Sequence, residues 1–276
     1  MNVHANVMVK NEEILLTHLL PIWESYPIEK FVFFNDHSTD GTVELIKKIL
    51  GGRAVIINNT LDKFHESYNR SNMLEYSRGN GATHVIAFDC DELLSYNFVE
   101  HFDELIKFYD EYDLWLYWFN VVGGTLGKIR NDSSYADNYR SFILPLKHTG
   151  QFDLNLWQYH TPRVPSTYLP NAVTKDVGVI HLQAINRKFY ALKQLWYKTY
   201  EYKEYGKSVG EINATYDPVV NGLNFCEVDT PDYIVGDLSF DASVFDEILS
   251  NLNYVEYIKE NAVDELITFG QEYLND

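Results

Sequence analysis

The sequence predicts an α/β protein with a mixed, mainly parallel sheet flanked by helices, followed by a helical C-terminal part. In the first half of the chain, short apolar runs alternate with segments of helical periodicity, which is typical of βαβ units. Two polar clusters directly follow predicted strands, at the sheet edge where ligands of such folds gather. We therefore expect one α/β domain over residues 1–185 and a helical extension, packed on it, over residues 186–276.

The individual elements follow from hydrophobic periodicity. Strands are predicted at residues 3–9, 30–34, 54–57 and 83–88, and helices at residues 11–25, 41–50 and 66–78. Beyond them we expect a helix at 98–109, an aromatic strand at 113–122, an irregular region at 125–174, a strand at 177–182, a helix at 187–205 and two acidic amphipathic helices within 241–274. The irregular region suits long functional loops and an antiparallel addition to the sheet.

Composition narrows the classes of function. The 276 residues carry a formal charge of −18, which opposes binding to nucleic acid and to an anionic membrane surface. No apolar run is long enough for a membrane span, and the N-terminal residues do not have the layout of a signal peptide. Two cysteines alone make a disulfide framework improbable, so we expect a reducing, cytoplasmic location.

The cluster after the fourth predicted strand has the chemistry of a cation site. Asp89 and Asp91 follow the apolar run that ends at Phe88, so both carboxylates can be held near one point. Mg²⁺ and Mn²⁺ take few protein carboxylates and leave positions for substrate phosphates. A solvated loop that carries two acidic residues is the alternative interpretation.

The cluster after the second predicted strand spans residues 35–42. Ser38, Thr39 or Asp40 can cap the helix that begins near Gly41, so part of this cluster is explained by local structure. Asp36 is not explained in this way. Its place at the strand end would let its carboxylate accept hydrogen bonds from a ligand.

Together these motifs resemble those of family-2-type glycosyltransferases with the GT-A fold, in the short, non-processive branch. The motifs in chain order are Met8-Val9-Lys10-Asn11-Glu12, Asn35-Asp36-x-Ser38-Thr39-Asp40-Gly41-Thr42 and Asp89-Cys90-Asp91-Glu92. The chain lacks the Glu-Asp and Gln-x-x-Arg-Trp signatures of processive members, so a polymer synthase is not expected.

The resemblance implies a nucleotide-diphosphate sugar donor, a carbohydrate or glycoconjugate acceptor and a bound Mn²⁺ or Mg²⁺. It implies the following roles: donor binding by Val9, Asn11, Asp36, Ser38, Arg70 and Asp89, metal binding by Asp89, Asp91 and His181, and the part of catalytic base for Asp153. Without the resemblance, His181 reads as a histidine in the core and Arg70 as a solvated helix arginine.

Two other classes of function remain open at this stage. Asp89 with Asp91 also resembles the nucleophile motif of haloacid-dehalogenase-type phosphatases, and residues 233–241 resemble their late metal-binding motif. That nucleophile normally follows the first strand, however, whereas Asp89 follows the fourth. The second possibility is a non-catalytic carbohydrate-binding module with a transferase-like fold.

Overall fold

The computed structural model describes residues 1–131, 138–155, 161–221, 226–251, 254–268 and 270–274. Its strands are β1 (Val3–Val9), β2 (Lys30–Asn35), β3 (Ala54–Asn58), β4 (His84–Ala87), β5 (Glu92–Leu94), β6 (Asp113–Asn120), β7 (Lys128–Arg130), β8 (Tyr139–Ser141), β9 (Ile143–Pro145), β10 (Asn171–His181) and β11 (Glu227–Asp229). Its helices are α1 (Glu13–Glu24), α2 (Thr42–Leu50), α3 (Glu66–Gly79), α4 (Tyr96–Glu100), α5 (Phe102–Phe108), α6 (Arg187–Tyr205), α7 (Val209–Asn221), α8 (Asp232–Val235), α9 (Val244–Asn251), α10 (Tyr254–Asn261) and α11 (Asp264–Ile267). Short 3₁₀ turns lie at Gly51–Arg53, Leu146–His148 and Gln271–Leu274.

The largest sheet confirms the predicted mixed, mainly parallel arrangement. Its strand order is β3-β2-β1-β4-β9, in which the first four strands run parallel and β9 pairs antiparallel with β4. The chain order reverses between β1 and β4, which makes that point the topological switch of the sheet. The carboxyl ends of these four strands therefore bring the loops after β1, β2, β3 and β4 to one edge.

The predicted elements of the first half are confirmed to within one or two residues, as are the strand at 113–122 and the helix at 187–205, whereas other later elements differ. The helix expected at 98–109 is two helices, α4 and α5, because His101 leaves helical geometry with φ −104° and ψ 22°. Strand β10 begins at Asn171, six residues before the expected start. The prediction of two helices within 241–274 is wrong, since α9, α10, α11 and a 3₁₀ turn occupy the described part of it, with an extended Val263 before α11.

The chain divides into two compact units, residues 1–118 with 139–180 and residues 119–138 with 181–276. In the second unit, Leu192 and Leu195 of α6 pack with Ile258 of α10. Lys198 of the same helix is buried, and its Nζ lies 2.6 Å from Asp217 Oδ1. The two residues form an ion pair within this unit. Among the described helices, none combines the length and apolar composition needed to cross a lipid bilayer.

In the first unit, Trp23 of α1 connects the core to the residues after β4. It is fully buried, packs edge-on against Phe88 at 5.0 Å and stacks with Phe31 at 6.4 Å. Its Nε1 donates to the Glu92 carbonyl oxygen at 3.1 Å. An apolar ring with a polar N–H can thus fill the core and fix a loop at the same time.

Candidate functional site

The loops after β1 and β2 are joined by hydrogen bonds. Asn11 has φ 54°, a left-handed conformation that asparagine tolerates better than most residues. In that conformation its N–H donates to Ser38 Oγ at 3.0 Å, and its Oδ1 accepts from the Thr39 N–H at 2.7 Å. Val9 is buried, and its carbonyl accepts from the Asp36 N–H at 2.8 Å. Asn11, Ser38 and Val9 therefore shape the edge at which Asp36 lies.

The Asp36 carboxylate is flanked by two hydrogen-bond donors. Its side chain is buried, with Oδ2 3.0 Å from Lys10 Nζ and Oδ1 2.6 Å from Asn59 Nδ2. Asn59 is oriented in turn by the Leu61 N–H, which donates to its Oδ1 at 2.9 Å. An ammonium has three N–H groups and a primary amide two, so each donor has at least one N–H beyond the one that Asp36 accepts.

Residues Asp89 to Glu92 form a tight turn at the neighbouring strand end. The Glu92 N–H donates to the Asp89 carbonyl at 3.2 Å, and the Asp89 N–H donates to Glu92 Oε2 at 2.8 Å. Cys90 is buried, with its Sγ 2.9 Å from the Met8 carbonyl oxygen of β1. Local hydrogen bonds, β1 and Trp23 therefore fix the position of both aspartates.

Two arginines neutralise part of this acidic turn. Arg70 Nη2 lies 3.3 Å from Asp89 Oδ1, and Arg163 Nη2 lies 2.7 Å from Asp89 Oδ2. Arg70 is also paired with Glu66, one helical turn earlier, at 2.8 Å. Arg70 is only 4% exposed, so the structure places it beneath the Asp89 carboxylate rather than on a solvated helix face.

Glu92 is fully buried and its carboxylate is surrounded by donors. Trp118 Nε1 donates to Oε1 at 2.7 Å, and Arg163 Nη1 lies 2.5 Å from Oε2. Burial opposes the charge of Arg163, but Asp89, Glu92 and Asp91 outweigh it and raise the pKa of that guanidinium well above its ordinary value. Arg163 is therefore a positively charged partner of these carboxylates.

The carboxylates exceed the guanidinium groups in this cluster. Four acidic side chains, Glu66, Asp89, Asp91 and Glu92, face two arginines, which leaves an excess of two negative charges when all are ionised. No group of three or more histidine, cysteine or acidic side chains arranged to hold a metal ion occurs in the part of the chain that the structure describes. A divalent cation bound beside this excess negative charge would take few protein ligands and would complete its coordination with substrate oxygens.

His181 and Asp153 lie elsewhere on the chain. His181 ends β10 in the second unit and is 6% exposed, and its Nδ1 lies 2.6 Å from Asn120 Oδ1. A neutral ring that donates its Nδ1–H to this amide oxygen would have its lone pair on Nε2. Asp153, in the first unit, is exposed in a turn, where its Oδ1 accepts from Asn155 N at 2.9 Å and from Asn155 Nδ2 at 3.0 Å.

The sequence comparison settles the family. The family described as "Glycosyl transferase family 2" matches residues 8–166, which is more than half of the chain and includes all three motifs at the sheet edge. The chain belongs to glycosyl transferase family 2. This family 2 chain is therefore an enzyme, a glycosyltransferase, and the phosphatase and non-catalytic interpretations are not retained. No curated protein compared with it gives a significant match.

The fold of this family 2 enzyme is also that of solved structures. A crystal structure of S. aureus TarS superposes with a TM-score of 0.52 at 14% identity, covering 74% of this chain and 40% of that one. TarS 1–349 gives 0.50 at 12% identity over 98% of this chain and 83% of that one. TarS 1–349 in complex with UDP-GlcNAc gives 0.51 at 11% identity over 100% of this chain and 92% of that one. At sequence identities this low, these superpositions show a shared fold and nothing more specific.

Several residues of the candidate site were not assigned from the sequence. Lys10 and Glu92 lie inside the quoted motifs. Glu92 is three positions from Asp89, and Lys10 follows the strand next to the one that Asp36 follows, so both could have been inferred from the sequence. The others come from separate segments and carry no motif of their own: Asn59, Glu66, Trp118 and Arg163.

Proposed function

We propose that this glycosyltransferase transfers a sugar from a uridine-diphosphate sugar to a hydroxyl group of a carbohydrate or glycoconjugate, with a divalent cation at the acidic turn. The observation that carries the choice of base is the arrangement of Lys10, Asp36 and Asn59. Lys10 Nζ and Asn59 Nδ2 lie on either side of the Asp36 carboxylate, so the three groups would offer a base a donor, an acceptor and a second donor.

Uracil offers the complementary pattern. Its edge presents an acceptor oxygen, the N3–H donor and a second acceptor oxygen, so each of its groups would meet a partner. Cytosine would place a ring-nitrogen lone pair against the Asp36 carboxylate, which is repulsive. Guanine would place an amino group against one of the protein donors. Mismatched buried polar groups cost about 1–3 kcal/mol each, enough to discriminate between bases.

The diphosphate would lie toward the acidic turn after β4. A divalent ion held by Asp91, with Asp89 beside it, would offset the excess negative charge of the cluster and stabilise the leaving nucleoside diphosphate. Asp91 would supply the anionic oxygen, since its carboxylate acts on Arg163 as a negative charge. His181 and Asp153 remain predictions, the first as a metal ligand and the second as the base that accepts the hydroxyl proton.

A thermal-shift panel tests this function directly. UDP, CDP, GDP and ADP are each added to the protein with Mn²⁺, with Mg²⁺ and with a chelator. A ligand that binds only the folded state raises the unfolding temperature. We expect the largest shift with UDP and a divalent cation, followed by release of UDP from UDP-GlcNAc, the donor chosen because TarS has been crystallised with it. A larger shift with any other base would contradict the uridine assignment.

A further inference from the structure

Arg163 bridges the two ends of the acidic turn. Its Nη1 lies 2.5 Å from Glu92 Oε2 and its Nη2 lies 2.7 Å from Asp89 Oδ2. A planar guanidinium can bind two carboxylates through two parallel N–H groups, whereas a lysine ammonium is a single point charge. One side chain therefore sets the spacing between a carboxylate that faces the donor site and a carboxylate that is fully buried.

The guanidinium itself is held in one place. It lies over the ring of Trp118 at 5.2 Å and over the ring of Phe142 at 5.1 Å, and only 13% of the side chain is exposed. Pro162 and Pro165 flank it, which fixes two backbone φ angles and restricts the residues before them to extended conformations. Little conformational freedom remains for Arg163 to lose when its partners bind.

Asp89 is oriented from two directions. Arg70 approaches its Oδ1 from helix α3 and is already neutralised by Glu66. Arg163 approaches Oδ2 from the segment after Asp153, where the Thr161 N–H also donates to Glu66 Oε2 at 3.3 Å. Without Arg163, Asp89 would keep one arginine, and the Glu92 carboxylate would lose a charged partner inside the protein. A buried charge that loses its partner moves or takes up a proton.

We propose that Arg163 is a positioning residue of the donor site, which holds Asp89 and Glu92 in the arrangement that binds the nucleoside diphosphate and does not itself contact the donor. The inference rests on the proposed function, because it takes Asp89 as a donor-binding carboxylate. It assigns a role to the segment after Asp153, which none of the three sequence motifs includes.

The test compares UDP binding by the wild-type chain, Arg163→Met, Arg163→Lys and Arg140→Met at saturating Mg²⁺. Arg140 is the matched control because it also lies over the Trp118 ring, at 5.7 Å, but is exposed and donates to the Tyr139 carbonyl. Dissociation constants are measured by calorimetry at 10 °C, where circular dichroism shows each variant to be folded. We expect Arg163→Met to bind UDP about tenfold or more weakly, Arg163→Lys to lie between it and wild type, and Arg140→Met to stay within about twofold.

The outcomes separate the two proposals. Wild-type protein that binds UDP under no metal condition overturns the proposed function and this inference with it. Wild-type binding with an unchanged dissociation constant in Arg163→Met overturns the inference alone, even if that variant melts earlier, because a purely structural role lowers stability without changing affinity. An equal loss in Arg140→Met also overturns it. Should Arg163→Met not fold, Arg163→Lys decides: wild-type affinity in that variant contradicts the need for a two-pronged side chain.

Discussion

Asn59 and Asp36 are joined across the ends of two neighbouring parallel strands, with Asn59 Nδ2 donating to Asp36 Oδ1 at 2.6 Å. The Asn59 N–H also donates to the Asn35 carbonyl at 2.9 Å, so the strand pairing of β2 and β3 itself brings the amide to the carboxylate. The position of this hydrogen bond depends on the sheet and not on a flexible loop. The Asp36 carboxylate is therefore held in a fixed position at the strand end.

Asp36→Ala should weaken UDP binding by about tenfold to a hundredfold, because a charge-assisted hydrogen bond contributes roughly 1.5–3 kcal/mol. Calorimetry with UDP and Mg²⁺ measures the effect. Asp62→Ala, an exposed carboxylate on the loop after β3, is the charge-matched control and should bind UDP as wild type does. If Asp36→Ala instead abolishes folding, as judged by circular dichroism, the residue is structural and the ligand assignment is wrong.

Asp91→Asn should lower donor turnover by roughly a hundredfold or more at saturating Mn²⁺, because an amide replaces an anionic metal ligand poorly. The same reasoning predicts that chelation sharply weakens nucleotide binding to the wild-type chain. Turnover is measured as UDP release from UDP-GlcNAc. Near-normal turnover in the variant, or equal UDP affinity with and without a divalent cation, would show that no cation is needed at the turn.

His181→Ala tests the prediction that this histidine is a metal ligand. A neutral imidazole can be replaced by water, so we expect a loss of about tenfold in turnover and a higher Mn²⁺ concentration at half-maximal rate. The Asn120 side chain beside Nδ1 supplies a control: Asn120→Asp keeps an acceptor for that N–H and should retain most activity. A His181→Ala enzyme that is folded and fully active would contradict the prediction that His181 is a metal ligand.

Trp23→Phe should lower the free energy of unfolding by about 2 kcal/mol, because it leaves a small cavity and removes the donor to the Glu92 carbonyl. It should also weaken UDP binding, since that carbonyl belongs to the acidic turn. Phe31→Leu removes buried aromatic packing on Trp23 without touching the turn, so it should lower stability in urea titrations but keep UDP affinity. Equal losses of affinity in both variants would rule out the hydrogen bond as the cause.

Stability should fall as pH drops below about 6.5 because of His84. Burial lowers the pKa of this ring, and the Asp110 carboxylate, 3.5 Å from Nε2, offsets only part of that effect. As pH falls, His84 therefore takes up a proton in the unfolded chain before it does so in the folded one. The contribution of the neutral ring to the free energy of unfolding is complete above the ordinary histidine pKa and is lost as pH falls through the pKa of the folded state. In urea titrations from pH 7 to pH 5, the free energy of unfolding should decrease less for His84→Gln than for wild type. His101→Gln, an exposed histidine, should follow the wild-type slope.

The fold of the first half was predictable because its signals are local. Strands β1 to β4 are apolar runs of four to seven residues, and the helices between them bury apolar side chains at helical spacing. By contrast, the start of β10 was missed because residues 171–176 are exposed or half-buried in the sheet and carry no apolar pattern. A strand whose side chains remain in water need not be hydrophobic, so its sequence resembles a loop.

The sequence by itself determined which residues follow each parallel strand, and therefore that Asp36, Asp89 and Asp91 meet at one edge of the sheet. Only the tertiary structure decided their partners. Asn59 reaches Asp36 from 23 positions away and Arg163 reaches Glu92 from 71 positions away. Hydrophobic periodicity predicts which side chains of a single helix or strand are buried. An ion pair depends instead on the path of the whole chain between its two members. Arg163 lies between two prolines in an irregular segment, where no hydrophobic periodicity marks it. Its proposed role follows only from the carboxylates that it contacts.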